Sequence, residues 1–197
     1  MKNLMNPLAT LREANVSRHI EWMRGASVDS LPLNFRCVEL VGEIGEAANI
    51  MKKIERHRLG IAGNTADLDV LSAMLADELA DVVICADLIA MDLKLPLSEN
   101  SLSVYARPGY ALDTLGVELG RSLSRVCGMV AALAESGPTW RKSVENHLIG
   151  ALEAVIVVVQ KVALSQGIDM VSAISRKFNA TSRKLDFLTR IAVVPVG

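Results

Sequence analysis

The sequence predicts an all-α helical bundle built from two helix-pair repeats, and three observations carry that prediction. Hydrophobic residues make up 51% of the 197 positions but aromatic residues only 4%. The core is therefore drawn from Ala, Leu, Val, Ile and Met, a palette that suits closely packed helices. Apolar residues recur at three- and four-residue spacing through long segments, the period of one helix face. Gly- and Pro-containing breaks divide the chain into a few long pieces.

Taken in order, a first helix is expected over about 8 to 24, stopping near Gly25. The loop GASVDSLP leads into a long helix over about 33 to 59, which ends in the basic run KKIERHRLG. Asn64 or Thr65 is expected to cap a third helix over about 66 to 93. LKLPLSEN breaks that helix, and SLSVYARPGY is the most loop-like stretch of the chain. A fourth helix is expected over about 111 to 135, ended by SGPTW, and a fifth over about 139 to 166. Val155 to Val159 have strand propensity, but the length of the segment and its helical flanks predict a buried helix. Gly167 turns the chain into a last helix over about 170 to 185, and the tail TRIAVVPVG is expected to be poorly ordered unless it docks.

The second half echoes the first. CVELVGEIGEAANIM can be laid on GVELGRSLSRVCGMV, which pairs Glu39 with Glu118, Glu43 with Ser122 and Glu46 with Arg125. DELADVVICADLIAMDLKLPL can be laid on GALEAVIVVVQKVALSQGIDM, which pairs Glu78 with Ala151 and Asp81 with Ala154. Apolar positions match while the carboxylates are lost, as in an internal duplication with one degenerate copy. The alternative is that any two amphipathic helix pairs align passably. The whole chain, 1–197, reads as a single domain. Repeat one covers about 33–97, the degenerate repeat about 110–170, and the C-terminal helix and tail 171–197.

The acidic residues of the first copy are the main functional signal. Glu39, Glu43 and Glu46 are spaced to share one stripe of a helix, and Glu78 and Asp81 another. Each stripe borders an apolar ridge: Leu40, Ile44 and Ala47 on one helix, Leu79, Val82 and Val83 on the other. If those ridges pack, the carboxylates converge at the edge of a core. Like charges so placed repel and shift one another's pKa values unless a cation sits among them. A metal ion is the expected filler, and hard oxygen ligands favour Mg²⁺ or Mn²⁺.

Other features bound the function by exclusion. The net charge of -1 and pI near 6.3 give no basic excess for nucleic acid. No apolar run is expected to reach membrane-spanning length, since Glu153 and Gln160-Lys161 bracket the greasiest stretch. The N-terminal segment is too broken by polar residues for a secretory signal. Cys37, Cys85 and Cys127 are odd in number and widely spaced, and read as buried reduced thiols of a cytoplasmic protein. His19, His57 and His147 lack a Glu-x-x-His partner, which argues against a di-iron bundle.

EIGE followed by DELADVV resembles the E-x-x-E…E-x-x-D signature of the MazG-like, all-α nucleoside triphosphate pyrophosphohydrolases. RKFNATSRK is similar to a segment that follows the last bundle helix in bacterial and phage members. The resemblance covers Asn15 to Leu97 and returns at Ile174 to Thr189; residues 98 to 173 depart from the short members, and the spacing between the two acidic motifs is longer than is common. It implies that Glu43, Glu46, Glu78 and Asp81 hold one or more Mg²⁺ ions. It further implies attack of water on the α-phosphorus of a nucleoside triphosphate, giving monophosphate and pyrophosphate, in nucleotide-pool house-cleaning. Glu43 or Glu46 would position or deprotonate the water; spacing does not choose between them.

Each feature has a plainer reading beside the functional one. The carboxylates could be a solvated helix face, and Glu39 is as well read as structural, because Glu118 keeps it in the degenerate copy. Lys177 and Asn179 either contact phosphate or cap a helix end. Trp22 either stacks on a base, as an aromatic near the first helix does in some relatives, or packs. Lys52, Lys53, Arg56 and Arg58 suit a solvated helix C-terminus as well as phosphate. Arg121 and Arg125, four apart on one face, either receive phosphate across a shared cleft or pair with carboxylates. Two other function classes compete with the hydrolase: a catalytically silent nucleotide-binding or regulatory protein on the same fold, and a helical assembly module. A homodimer is compatible with the apolar composition.

Overall fold

A computed structural model describes residues 7–24, 26, 30–63, 66–103 and 111–192 of the chain. The described residues form six α-helices and one short 3-10 turn, with no strand among them. The helices are α1 (Pro7–Met23), α2 (Leu33–Arg58), α3 (Leu68–Asp92), α4 (Leu112–Glu135), α5 (Pro138–Ser165) and α6 (Met170–Lys184), and the 3-10 turn is Glu99–Leu102. Helix ends fall within two residues of the sequence expectation, the ordinary uncertainty of frayed termini.

The local chemistry of the ends is consistent. Pro138 opens α5 at a position where its missing N–H costs nothing. Asp169 caps α6 by accepting from the Val171 N–H at 3.0 Å. Residue Asp67 stands at the N-cap of α3 without a side-chain cap bond; the expected caps, Asn64 and Thr65, lie outside the described residues, as do Gly25 and residues 104–110 and 193–197. Four helices close at their C-termini with one geometry, a residue of positive φ followed by an N–H reaching back to a carbonyl. The left-handed residues are Gly60, Lys94, Gly167 and Asp186. The returning bonds are Ile61 to Arg56, Leu95 to Ala90, Ile168 to Ala163 and Phe187 to Ser182, at 2.8–2.9 Å.

Packing joins these helices as two antiparallel pairs. In the first pair, α2 lies along α3: Arg36 bonds Asp92 at one end, and Glu43 and Glu46 face Glu78 in the middle. The second pair is α4 with α5, bridged by Lys161 and Glu118 at 3.2 Å. The pairs then meet through α2 on α4 and α3 on α5. Cys37 lies against Cys127, and Gly116 against Met51, so α2 and α4 also run antiparallel. Their thiols stand 3.7 Å apart, so two cysteines far apart in sequence are neighbours in the fold.

Helix α3 is the centre. It touches α1, α2, α5 and α6, and Leu71, Leu75, Leu79, Val82, Val83, Ala86 and Ile89 are all buried. Burying a leucine fully contributes about 2 kcal/mol. Helix α5 contains an 18-residue window of mean hydropathy 1.9, long and apolar enough by composition to cross a membrane. This corrects the sequence expectation: Glu153 and Gln160-Lys161 do not lower the window enough. Half of that window is buried inside the bundle, where Leu152, Val155, Ile156, Val159 and Val162 fill the core.

Helices α1 and α6 are held against the first pair by polar contacts. Arg12 pairs with the buried Asp87 at 2.8 Å and donates to the Leu95 carbonyl, and Asn15 donates to the other Asp87 oxygen at 2.9 Å. The segment after α6 is docked as far as it is described. Glu21 accepts from the backbone N–H groups of Leu188 and Thr189 and from the Thr189 hydroxyl. Asn179 exchanges two 2.8 Å bonds with the backbone of Ile191, which is buried.

Candidate functional site

The carboxylates converge as their helical spacing requires. One oxygen each from Glu43, Glu46 and Glu78 lies within 4.8 Å of the others. Ile44 and Ala47 on α2, and Leu79, Val82 and Val83 on α3, are buried beside them. Packing of those ridges therefore fixes the distance between the acidic stripes. Asp81 sits one turn beyond Glu78, and Lys177 from α6 holds its Oδ2 at 2.8 Å. The fourth predicted ligand is thus beside the cluster but engaged by a cation.

Charge crowding shows in the protonation equilibria. Burial raises the Glu43 pKa to about 7, with Asp81, Glu46 and Glu78 adding repulsion and Lys177 opposing it. Glu78 is also raised, first by burial, and by Glu46 and Asp81 against the pull of Lys177. Asp81 is raised by burial although Lys177 and Arg18 favour its charge. Lys177 is raised in turn: burial works against its charge, but the hydrogen bond and attraction of Asp81 and of neighbouring acids prevail.

A cleft of about 380 Å³ opens beside this cluster, walled by α1, α2, α3 and α6. Glu39, Glu43, Asp81 and Lys177 all line it, and Glu46 and Glu78 do not. Glu43 therefore belongs to both the carboxylate cluster and the cleft. Trp22 also lines the cleft, half exposed and tilted against Phe187 at 5.8 Å between ring centroids. Glu39 accepts from Arg36 at 3.1 Å. Arg36 also bonds Asp92 at 2.9 Å and His19 Nδ1 at 3.0 Å, so it ties α1, α2 and α3 together at the cleft wall.

Three sequence expectations are placed elsewhere. The Asn179 side chain is turned to the Ile191 backbone, which it bonds through both its oxygen and its nitrogen, and it does not line the acidic cleft. Arg121 and Arg125 are exposed on α4, and no residue of α4 lines the acidic cleft. With α2 and α4 antiparallel, the position matching Glu46 emerges on the other flank of the bundle, so the two copies share no cleft. Sequence reading passed over Arg18 and Arg36. Both are buried cations in otherwise amphipathic helices, and an arginine at a core-facing helical position was the available signal.

A second, shallower cleft of about 510 Å³ lies between the 3-10 turn, α4 and α5. Ser122, Ala154, Val157, Val158 and Lys161 line it. The sequence alignment pairs these with Glu43, Asp81, Ile84, Cys85 and Leu88, all of which line the first cleft. Comparison with known proteins gives no match: no family model fits the chain, and no curated protein or solved structure is detectably similar to it.

Proposed function

We propose that this protein is a Mg²⁺-dependent nucleoside triphosphate pyrophosphohydrolase, cleaving (d)NTP to (d)NMP and pyrophosphate. The observation that carries the reading is the trio Glu43, Glu46 and Glu78, set within 4.8 Å of one another at the edge of a cleft that also carries cations and an exposed indole. The donor set fits a hard divalent cation: all ligands are carboxylate oxygens. Burial first, and then repulsion from Asp81, Glu46 and Glu78, raises the Glu43 pKa to about 7, and both favour a proton or a cation among these oxygens. The E-x-x-E…E-x-x-D pattern of the MazG-like enzymes supports the same assignment.

Bound Mg²⁺ would neutralise phosphate charge and activate water. The chain's own residues do the rest by position. Glu43 faces the cleft and orients the attacking water; Glu46 and Glu78 complete the ligand set. Lys177 keeps Asp81 in place at 2.8 Å, and Trp22 offers a face to the base. Catalysis of this kind is largely alignment and charge stabilisation. The test is pyrophosphate release from a panel of ribo- and deoxyribonucleoside triphosphates, with Mg²⁺ and with a chelator. Mg²⁺-dependent release is expected. Nucleotide binding without release from any member would replace the hydrolase with the silent binding protein.

We further infer that α4–α5 is a duplicated copy of α2–α3. The register that pairs Glu39 with Glu118 also pairs Leu33, the first residue of α2, with Leu112, the first of α4. The register that pairs Glu78 with Ala151 pairs Asp92, the last residue of α3, with Ser165, the last of α5. It also pairs the left-handed Lys94 with the left-handed Gly167. Matching clefts in both pairs support the same reading.

A further inference from the structure

The described buried charged side chains are Arg18, Arg36 and Asp87. Two are neutralised within the protein: Arg36 by Asp92 and Glu39, Asp87 by Arg12. Arg18 differs. It is 5% exposed and makes no ion pair within 4.0 Å among the described residues, although Asp81 is near enough to favour its charge. Its guanidinium lies over the Phe178 ring, 3.6 Å from the centroid, and one Nη1 donates to the Phe178 carbonyl at 3.3 Å.

A guanidinium has five N–H donors, so most of those on Arg18 have no protein acceptor. Among the described residues, the side-chain polar atoms that are both sealed from solvent and unpartnered are Asn15 Oδ1, Gln160 Oε1 and Ser182 Oγ. The spare donors of Arg18 are not among them, so they open onto the cleft that Arg18 lines. The nearby carboxylate, Asp81, is already engaged by Lys177 at 2.8 Å. Burial lowers the Arg18 pKa only to about 10, so the group is cationic at neutral pH.

A buried cation without a counterion is costly to fold around unless a ligand compensates it. Stacking on Phe178 fixes the plane of the guanidinium, which leaves a rigid fork suited to two oxygens of one anion. We propose that Arg18 is the anion-binding group of this cleft, receiving non-bridging phosphate oxygens of the nucleotide through its spare N–H donors. This rests on the nucleotide reading of the cleft, and it adds a phosphate contact on α1, opposite the acidic stripes of α2 and α3. Lys177, on α6, is held by Asp81 at 2.8 Å and does not replace it.

The probe is pyrophosphate, titrated calorimetrically in Mg²⁺ buffer into wild type and Arg18→Met. A charge-assisted pair of hydrogen bonds predicts that affinity falls about ten- to a hundredfold. Folded Arg18→Met that binds pyrophosphate within twofold of wild type overturns the inference, and so does wild type that does not bind pyrophosphate at all. If Arg18→Met does not fold, Arg18→Lys identifies the Arg18 Nε–H resonance in the nuclear magnetic resonance spectrum by its loss. In the wild type that resonance is expected to move on addition of pyrophosphate, and a fixed resonance at saturation overturns the inference. The hydrolase reading fails separately: pyrophosphate bound through Arg18, with no nucleotide turned over, leaves Arg18 in place and removes the reaction.

Discussion

Glu43 is the residue where burial, repulsion and access to the cleft meet. Its folded pKa, raised to about 7, lies above the ordinary value of 4.5. The sign follows from linkage: the folded state binds a proton that the unfolded state has released between those two values. Its stabilising contribution is therefore complete below about 4.5 and is lost as pH rises through about 7. Glu78 and Asp81, also raised, act in the same direction. The metal-free protein should thus melt at a lower temperature at pH 7.5 than at pH 5, once the rest of the titration is matched with a Glu43→Gln control that flattens the change. Mg²⁺ should restore stability increasingly with pH, because ligand carboxylates must shed protons to bind it. Glu46→Gln and Glu78→Gln test the same cluster from the other side. Each is expected to reduce Mg²⁺-dependent hydrolysis on the order of a hundredfold or more, with a metal-free melting temperature no lower than wild type. Near-normal turnover in either folded variant would sink the assignment. At this scale the sequence showed the carboxylates, because a helical period alone puts them on one stripe. It did not show that Asp81 is clasped by Lys177, a contact between residues 96 positions apart that local spacing cannot encode.

Helices were legible because their signals are local. Apolar period, Pro138 at a first turn and Gly60 and Gly167 at C-termini each act within a few residues. Lys94 and Asp186 perform the same left-handed closure without being glycine, which is why those ends carried a weaker signal. What joins one helix to another was less visible. The buried Asp87 reads as a blemish on an apolar helix, yet it anchors α1 through Arg12 and Asn15. Removing one partner of such a buried pair leaves the other uncompensated. Asp87→Ala is expected to destabilise the fold by about 3 kcal/mol, measured by denaturant unfolding. A change below about 0.5 kcal/mol, the usual scale of a surface substitution, would mean that α1 is not held by this pair.

Across the whole molecule, the antiparallel seam between α2 and α4 decides what the two copies can do for one another. It turns the position matching Glu46 onto the far flank, and so leaves Arg121 and Arg125 outside the acidic cleft. Sequence alignment pairs residues but says nothing about the axis that relates them, and so it left open whether Arg121 and Arg125 share the acidic cleft; no residue of α4 lines it. The seam has a chemical marker in the 3.7 Å contact of Cys37 with Cys127. Burial and its partner thiol push the Cys37 pKa up to about 12, so Cys127, only partly buried, is the thiol expected to react first. Mild oxidation with a diazene oxidant such as diamide should then join Cys37 to Cys127 and leave Cys85 free, as read by peptide mass spectrometry. A Cys85-containing disulfide, or none, would contradict the packing of α2 on α4.

The chain beyond α6 behaves as a latch. Glu21 grips Leu188 and Thr189 on one side, and Asn179 grips Ile191 on the other. Asn179 stands two positions from Lys177, the cation that steadies Asp81. Tension on the tail is therefore delivered to the helix that carries Lys177, and through Glu21 to the helix that carries Trp22. A substitution at Glu21 or Asn179 that frees this segment therefore acts on two walls of the cleft, although neither residue lines it.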